Sequence, residues 1–235
     1  MRSIGFVVLL ATLAAPALAE LPPLSPDELD ANATHVIAGI VTQVFTARKV
    51  HEDRKGWEDD VVCLEIRVVD VEKGEGIAVG QLVYARTWDA AERPDGWAGP
   101  GGQYEVPAVG ALVRVHLEQG EDGGRDILIP NGINAAGSYE GVLRHKPWTK
   151  SAESFEAGGS DYFVLEVEGG EKHFVRPTSA VDEARLKELD GKAVAIRGSI
   201  VPGVEVEIDP NSPHPVGEST VRRGKGLRAY EVTAR

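Results

Sequence analysis

KHFVRPTSAVDEARLKELDGKAVAIRGSIV, residues 172–201, sets one short helical run between two β-type runs. The first run, 172–177, ends at a proline. Ser179 can cap a helix over 181–189. Asp182 falls in its first turn, and Gly191 stands just past its end. In the run 192–201, Val194, Ile196 and Ile200 fall on one face, and Gly198 on that face marks a bend where a sheet curls. Upstream, 139–145 and 161–168 read as strands, with Phe163, Leu165 and Val167 inward. Gly169-Gly170 turns the second of these into 172–177, and 227–233 supplies a fifth strand.

The resulting order, β-β-β-α-β-β, is that of a five-stranded OB barrel, in which a helix after the third strand covers an open end. The first half repeats the strands without that helix. Ser25 can cap a short helix with Pro26 in its first position. Strands are expected at 35–47, 60–71, 81–88, 112–119 and 126–130. Val62, Leu64, Ile66 and Val68 share one face, as do Val113, Val115 and Leu117, and Glu121-Asp122-Gly123-Gly124 signals a hairpin. Where the helix would stand is WDAAERPDGWAGPGGQYEVP, residues 88–107. Either Trp97 plugs the barrel end, or Trp88, Trp97 and Tyr104 form a stacking platform for a sugar ring or peptide. The expected fold class is therefore mainly β: two small OB-like five-stranded barrels, at 20–137 and 138–235, with one or two short helices.

Residues 1–19 carry the features of a signal peptide: Arg2, an apolar run over 4–15, and Ala17-Leu18-Ala19 as a cleavage site. That run is too short to span a bilayer, and no later segment is apolar enough. The expected location is extracytoplasmic, periplasmic or secreted. Cys63 is the only cysteine, so no internal disulfide can form and packing must stabilise the chain. The net charge of −12 is lopsided. Residues 20–137 hold 21 acidic and 10 basic side chains, and 138–235 hold 16 and 14. Such an acidic surface disfavours nucleic acid and anionic membranes as partners.

The stretches ATHVIAGIVTQVF (33–45), VVCLEIRVVDVEKGEG (61–76) and VGALVRVHL (109–117) resemble netrin-like domains, which include the tissue inhibitors of metalloproteinases. The resemblance covers less than half the chain and implies an OB-type fold that binds proteins. That family's inhibitors use an N-terminal cysteine on the target's zinc. Here the expected mature terminus reads Glu20-Leu21-Pro22-Pro23, so no functional residue carries over. LDGKAVAIRGSI (189–200) resembles OB-fold modules generally, and also secreted bacterial proteins of unassigned function.

No catalytic constellation is legible. His51-Glu52-Asp53-Arg54-Lys55 has lysine where a zinc helix needs its second histidine, and it reads as solvated surface. Arg114, His116 and Glu118 share a strand face and read as an exposed ladder. There is no Gly-x-Ser-x-Gly. Cys63 lies mid-strand without an identifiable histidine partner, as an inert thiol would. Gly99-Pro100-Gly101-Gly102 lacks the Lys-Ser/Thr of a phosphate loop. Asp209, Asn211 and Glu218 supply oxygens but match no calcium loop. Asn32-Ala33-Thr34 is a glycosylation sequon by pattern. Arg222, Arg223 and Lys225 form a basic stretch able to attract an anion such as a sulfated glycan, or simply a solvated loop. No metal or cofactor is expected. The expected function is a non-catalytic binding protein whose partner is a protein or a glycan. The alternatives are a metal-assisted hydrolase with a site built from distant residues, and a structural component of the cell envelope.

Overall fold

The computed structural model describes residues 22–97, 99–207 and 220–235. The leader features at 1–19, His214 and the loop oxygens of Asp209, Asn211 and Glu218 lie outside the described residues. Of the described residues, 52% are strand and 9% helix, which makes the fold mainly β.

Helix α1, Pro26–Asn32, opens on a full capping box: the Ser25 hydroxyl accepts from the Glu28 amide and the Glu28 carboxylate accepts from the Ser25 amide. Strands β1 (His35–Val50), β2 (Glu58–Lys73) and β3 (Leu82–Glu92) form antiparallel neighbours. Strand β4 (Leu112–Gln119) pairs with β1, and β5 (Arg125–Ile127) lies parallel to β3 and antiparallel to β4. A short β6 (Ile133–Ala135) adds to β4 and completes a six-stranded sheet. Its core is the apolar face read from the alternation: Leu64, Ile66, Val113, Val115 and Leu117 are all closed to solvent.

The second half begins with β7 (Gly137–Lys146). It continues through α2 (Ala152–Glu156), β8 (Tyr162–Val167), β9 (Lys172–Arg176), α3 (Glu183–Glu188) and β10 (Ala193–Val201). A small ribbon, β11 (Val204–Glu207) and β12 (Thr220–Arg223), precedes β13 (Gly226–Ala234). Strands β10, β13, β9, β8 and β7 close into a barrel, with β13 and β9 parallel. Leu186 of α3 and Leu189 beyond it are buried in the barrel core with Leu143, Leu165 and Ile196. Helix α3 therefore closes an end, as the β-α-β pattern predicts.

Several local expectations are corrected. The cap of α3 is Asp182, which accepts from the Arg185 amide at 2.8 Å. Ser179 is drawn off instead, its amide donating to Asp70. Residues 149–160, a polar stretch with no strand or helix read from the sequence, contain α2, capped by Ser151 around a buried Ser154. Ile200 is 49% exposed although it stands opposite the buried Leu227; the ladder's register shift puts its extra residue, Tyr230, in β13 and leaves the alternation of β10 intact. A Cβ at Gly198 would stand 2.0 Å from the Arg228 carbonyl oxygen, so only glycine permits this approach.

The largest correction concerns Arg114 and His116. They are not an exposed ladder but lie buried. Glu72 accepts from Arg114 at 2.9 Å and from the Tyr230 hydroxyl at 2.9 Å, so it joins the two halves. Asp70 does the same, accepting from Arg228 at 2.5 Å and from the Ser179 amide at 3.0 Å. Around them Ala38, Leu112 and Tyr230 form an apolar seam. Arg114 also donates to Asp30 at 3.0 Å and to His116 Nε2 at 2.8 Å. The same Nε2 is 3.0 Å from the Asp30 carboxylate, and Nδ1 is 3.3 Å from the Gly132 carbonyl oxygen, so the ring is enclosed by a cation and two acceptors. Burial, reinforced by the Arg114 charge, holds the His116 pKa below its ordinary value.

Removing one member of a buried ionic cluster leaves the others uncompensated. Glu72→Ala is expected to cost about 3–5 kcal/mol in a urea titration. The depressed His116 pKa also has a sign. The unfolded chain takes up the proton near pH 6.5, while the folded chain resists. Stability is full above that value and falls as pH drops below it. Melting at pH 7.5 and 5.0 should show a larger loss for the native chain than for His116→Gln; equal losses would contradict the assignment.

Candidate functional site

Strands β1, β2 and β3 run on past the sheet's core as a three-stranded extension, which carries most of the chain's tryptophan. Val61 of β2 pairs with Trp88 of β3, and Asp59 pairs with Ala90. Residues 51–57 make the tight connection between β1 and β2, with the His51 amide donating to the Trp57 carbonyl at 3.0 Å. The expected 88–107 loop is in part strand, since β3 continues to Glu92. Its return is pinned where Ala90 donates to Gly101 and Gln103 donates to Trp88, both at 2.8 Å. Gly102 makes this fold-back possible: its φ is +93°, and a Cβ there would meet the Trp88 carbonyl oxygen at 2.2 Å.

The fold-back brings Trp97 against Trp57, ring centroids 4.4 Å apart and edge to face. Arg93 lies over both other rings of the group, 4.9 Å from the centroid of Trp57 and 5.8 Å from that of Trp88. Its Nη1 donates to the Glu58 carbonyl at 2.7 Å and its Nη2 to the Asp59 carboxylate. The other Asp59 oxygen is 2.7 Å from His51 Nε2. Burial alone would raise the Asp59 pKa, but the Arg93 and His51 hydrogen bonds overcome it and hold the carboxyl below its usual range. Arg54 adds a second guanidinium, 5.0 Å from the Trp57 centroid.

Two clefts open on either side of Trp88 and Asp59. The smaller, about 280 Å³, is walled by Trp57, Trp88, Trp97 and Pro100, with His51, Arg54, Asp59 and Arg93. The larger, about 490 Å³, has an apolar wall of Val61, Trp88, Ile127 and Ile129. Its polar lining is Lys49, Asp59, Arg86, Thr87, Glu118 and Asp126. Arg86 is held by Asp126 at 2.8 Å and by Asp122, which drives the Asp122 carboxyl far below its usual range. Thr87 is buried, and its Oγ1 has no partner among the described residues; the same is true of the Trp97 indole Nε1. Such a pairing of apolar wall and sparse polar groups is the usual make-up of a ligand site.

Of the residues singled out from the sequence, Trp88 and Trp97 come together here. Tyr104 is exposed and lines neither cleft. Arg222 is exposed and pairs with Asp27 at 2.9 Å, while Arg223 and Lys225 are exposed on and after β12, and none of the three lines these clefts. Sequence reading missed Trp57, Asp59 and Arg93, whose only signal was a cluster of cations and tryptophans on both sides of two strands. His51, expected as solvated surface, is half-buried beside Asp59, while Arg54, which lies over the Trp57 ring, is exposed with Glu52, Asp53 and Lys55. Trp97 is half-buried against Trp57 and lies outside the core cluster of the first sheet. Cys63 is half-buried, and burial pushes its thiol pKa up. A third cleft of about 310 Å³ lies between the halves, bounded by Arg114, His116, Tyr139 and Ile200 among others. Among the described residues no three His, Cys, Asp or Glu side chains are grouped to hold a metal ion, and no helix is long and apolar enough to cross a membrane.

No protein-family model matches the chain, and no curated protein matches it.

The packing of Trp97 sets the cost of losing it. A plug of the barrel core would cost about 3–5 kcal/mol on truncation. An aromatic contact at a half-open site costs nearer ~1–2 kcal/mol. Urea unfolding of Trp97→Ala is expected to give the smaller figure.

Proposed function

We propose that this chain is a non-catalytic binding protein whose ligand surface is the pair of clefts around Trp88. One observation carries the reading: tryptophans from three separate segments converge on an open site in which Asp59 is already paired with Arg93 and His51. Paired charges in a wall of aromatic rings hold a ligand in place.

The proposal includes an OB-like architecture for both halves. It is supported by the order of pairings. In the first half β1 meets β2 and β4, and β3 meets β2 and, in parallel, β5. In the second half β7 meets β8 and β10, and β9 meets β8 and, in parallel, β13. The clefts lie on strands β2 and β3 and on the β1–β2 connection, the part of an OB barrel that commonly meets ligands. The proposed setting is extracytoplasmic, on the leader-like features of residues 1–19.

The test is tryptophan fluorescence of the full chain, titrated with soluble glycans and peptides. A saturable change is expected that disappears in Trp88→Ala and persists when Arg222 and Arg223 are replaced by alanine. Binding that survives Trp88→Ala would move the site elsewhere and refute the reading.

A further inference from the structure

We propose that the ligand is an uncharged glycan chain longer than one sugar, lying across Trp88 with one part in each cleft. The inference rests on the reading of the Trp88 site as a ligand surface and goes on to name what fills it.

Continuity comes first. Both clefts are lined by Trp88 and Asp59, so these two residues divide one groove rather than separating two sites. A single small molecule fills one part; a chain fills both. The groove's electrostatics then narrow the class. Asp59 is occupied by Arg93 and His51, and Arg86 by Asp122 and Asp126. A strongly charged ligand would have to break one of these pairs and strand its partner. Lys49 and Glu118, which line the larger cleft without an ion-pair partner among the described residues, are exposed and opposite in sign, so they give the groove no net preference for either charge.

The polar groups that remain ask for hydroxyls. Thr87 Oγ1 can donate and accept, Trp97 Nε1 can only donate, and both are buried without a partner. A buried polar group left unpaired is costly, so a ligand that satisfies it gains affinity. A hydroxyl does both jobs. Trp88, Val61, Ile127 and Ile129 meanwhile offer an apolar wall of the kind that the C–H face of a pyranose ring covers. A peptide can use that wall too, and β1 beyond Ile40, which carries Lys49, is paired on one side only, so the peptide arm of the test decides between the two.

The test is calorimetric titration of the full chain with neutral cello-, chito- and malto-oligosaccharides of one to six units, with a uronate oligomer and an uncharged peptide of like length alongside. Affinity for one neutral series is expected to rise by about tenfold or more between one and three units, as a second part of the groove is engaged. Thr87→Val should weaken the long oligomers by about fivefold, the loss of one hydrogen bond, while leaving the near-ultraviolet dichroism unchanged. The uronate should bind more weakly than its neutral counterpart. The inference is overturned by affinity that does not depend on length, by preference for the uronate, or by no neutral oligomer binding at all. A peptide that binds and is lost in Trp88→Ala would overturn the glycan and leave the site standing. Glycan binding indifferent to Trp88→Ala would remove both.

Discussion

The guanidinium of Arg93 is the contact on which the proposed site depends. It lies over two indole rings, donates to a backbone carbonyl of β2 and closes an ion pair with Asp59. Each of these partners belongs to a different piece of chain: Trp57 to the β1–β2 connection, Trp88 to β3, Asp59 to β2. Without a planar cation in that position, nothing fixes the angle between the two indoles, and Trp97 loses the ring it packs against. Lysine would keep the charge but not the plane or the forked donors. The side chain is mostly buried, so these contacts act with little screening by water.

The same logic, an ionic group used as a mechanical part, recurs at the seam between the halves. Asp70 and Glu72 lie on β2, and each takes a hydrogen bond from β13. Strand β2 thus runs from the seam at one end to the tryptophan group at the other. In a chain with one cysteine, such paired charges do what a cross-link would do elsewhere: they specify one arrangement of two apolar cores. Their energetic worth is modest compared with the cores themselves. Their value lies in register, because Glu72 takes hydrogen bonds from Arg114 of one half and Tyr230 of the other at once.

Much of the fold was legible in the residues alone. Alternation at 62–68 and 113–117 identified the buried face correctly, and Ser25-Pro26 with Glu28 marked the first helix. What alternation could not say is what covers the opposite face. Arg114 and His116 have the look of solvent-facing residues, and are buried among Asp30 of α1, Glu72 of β2 and the Gly132 carbonyl. Ile200 keeps the period that the sequence shows yet is half exposed, and the ladder's extra residue falls at Tyr230 in β13. The site was half legible. Trp88 and Trp97 stand out by composition, but Trp57 and Arg93 join them through cross-strand register and a loop fold-back, and neither leaves a local pattern. Tyr104 was grouped with the tryptophans on proximity in sequence, which the return at Gly102 overrides.

The most direct measurement is the indole amide spectrum of the chain labelled at tryptophan, compared between the native protein and Arg93→Lys. Four signals are expected, one for each tryptophan. If Arg93 organises the site, those of Trp57, Trp88 and Trp97 shift together, the Trp57–Trp97 contact weakens, and Trp148 stays in place. A spectrum in which the three move independently, or not at all, would contradict the account.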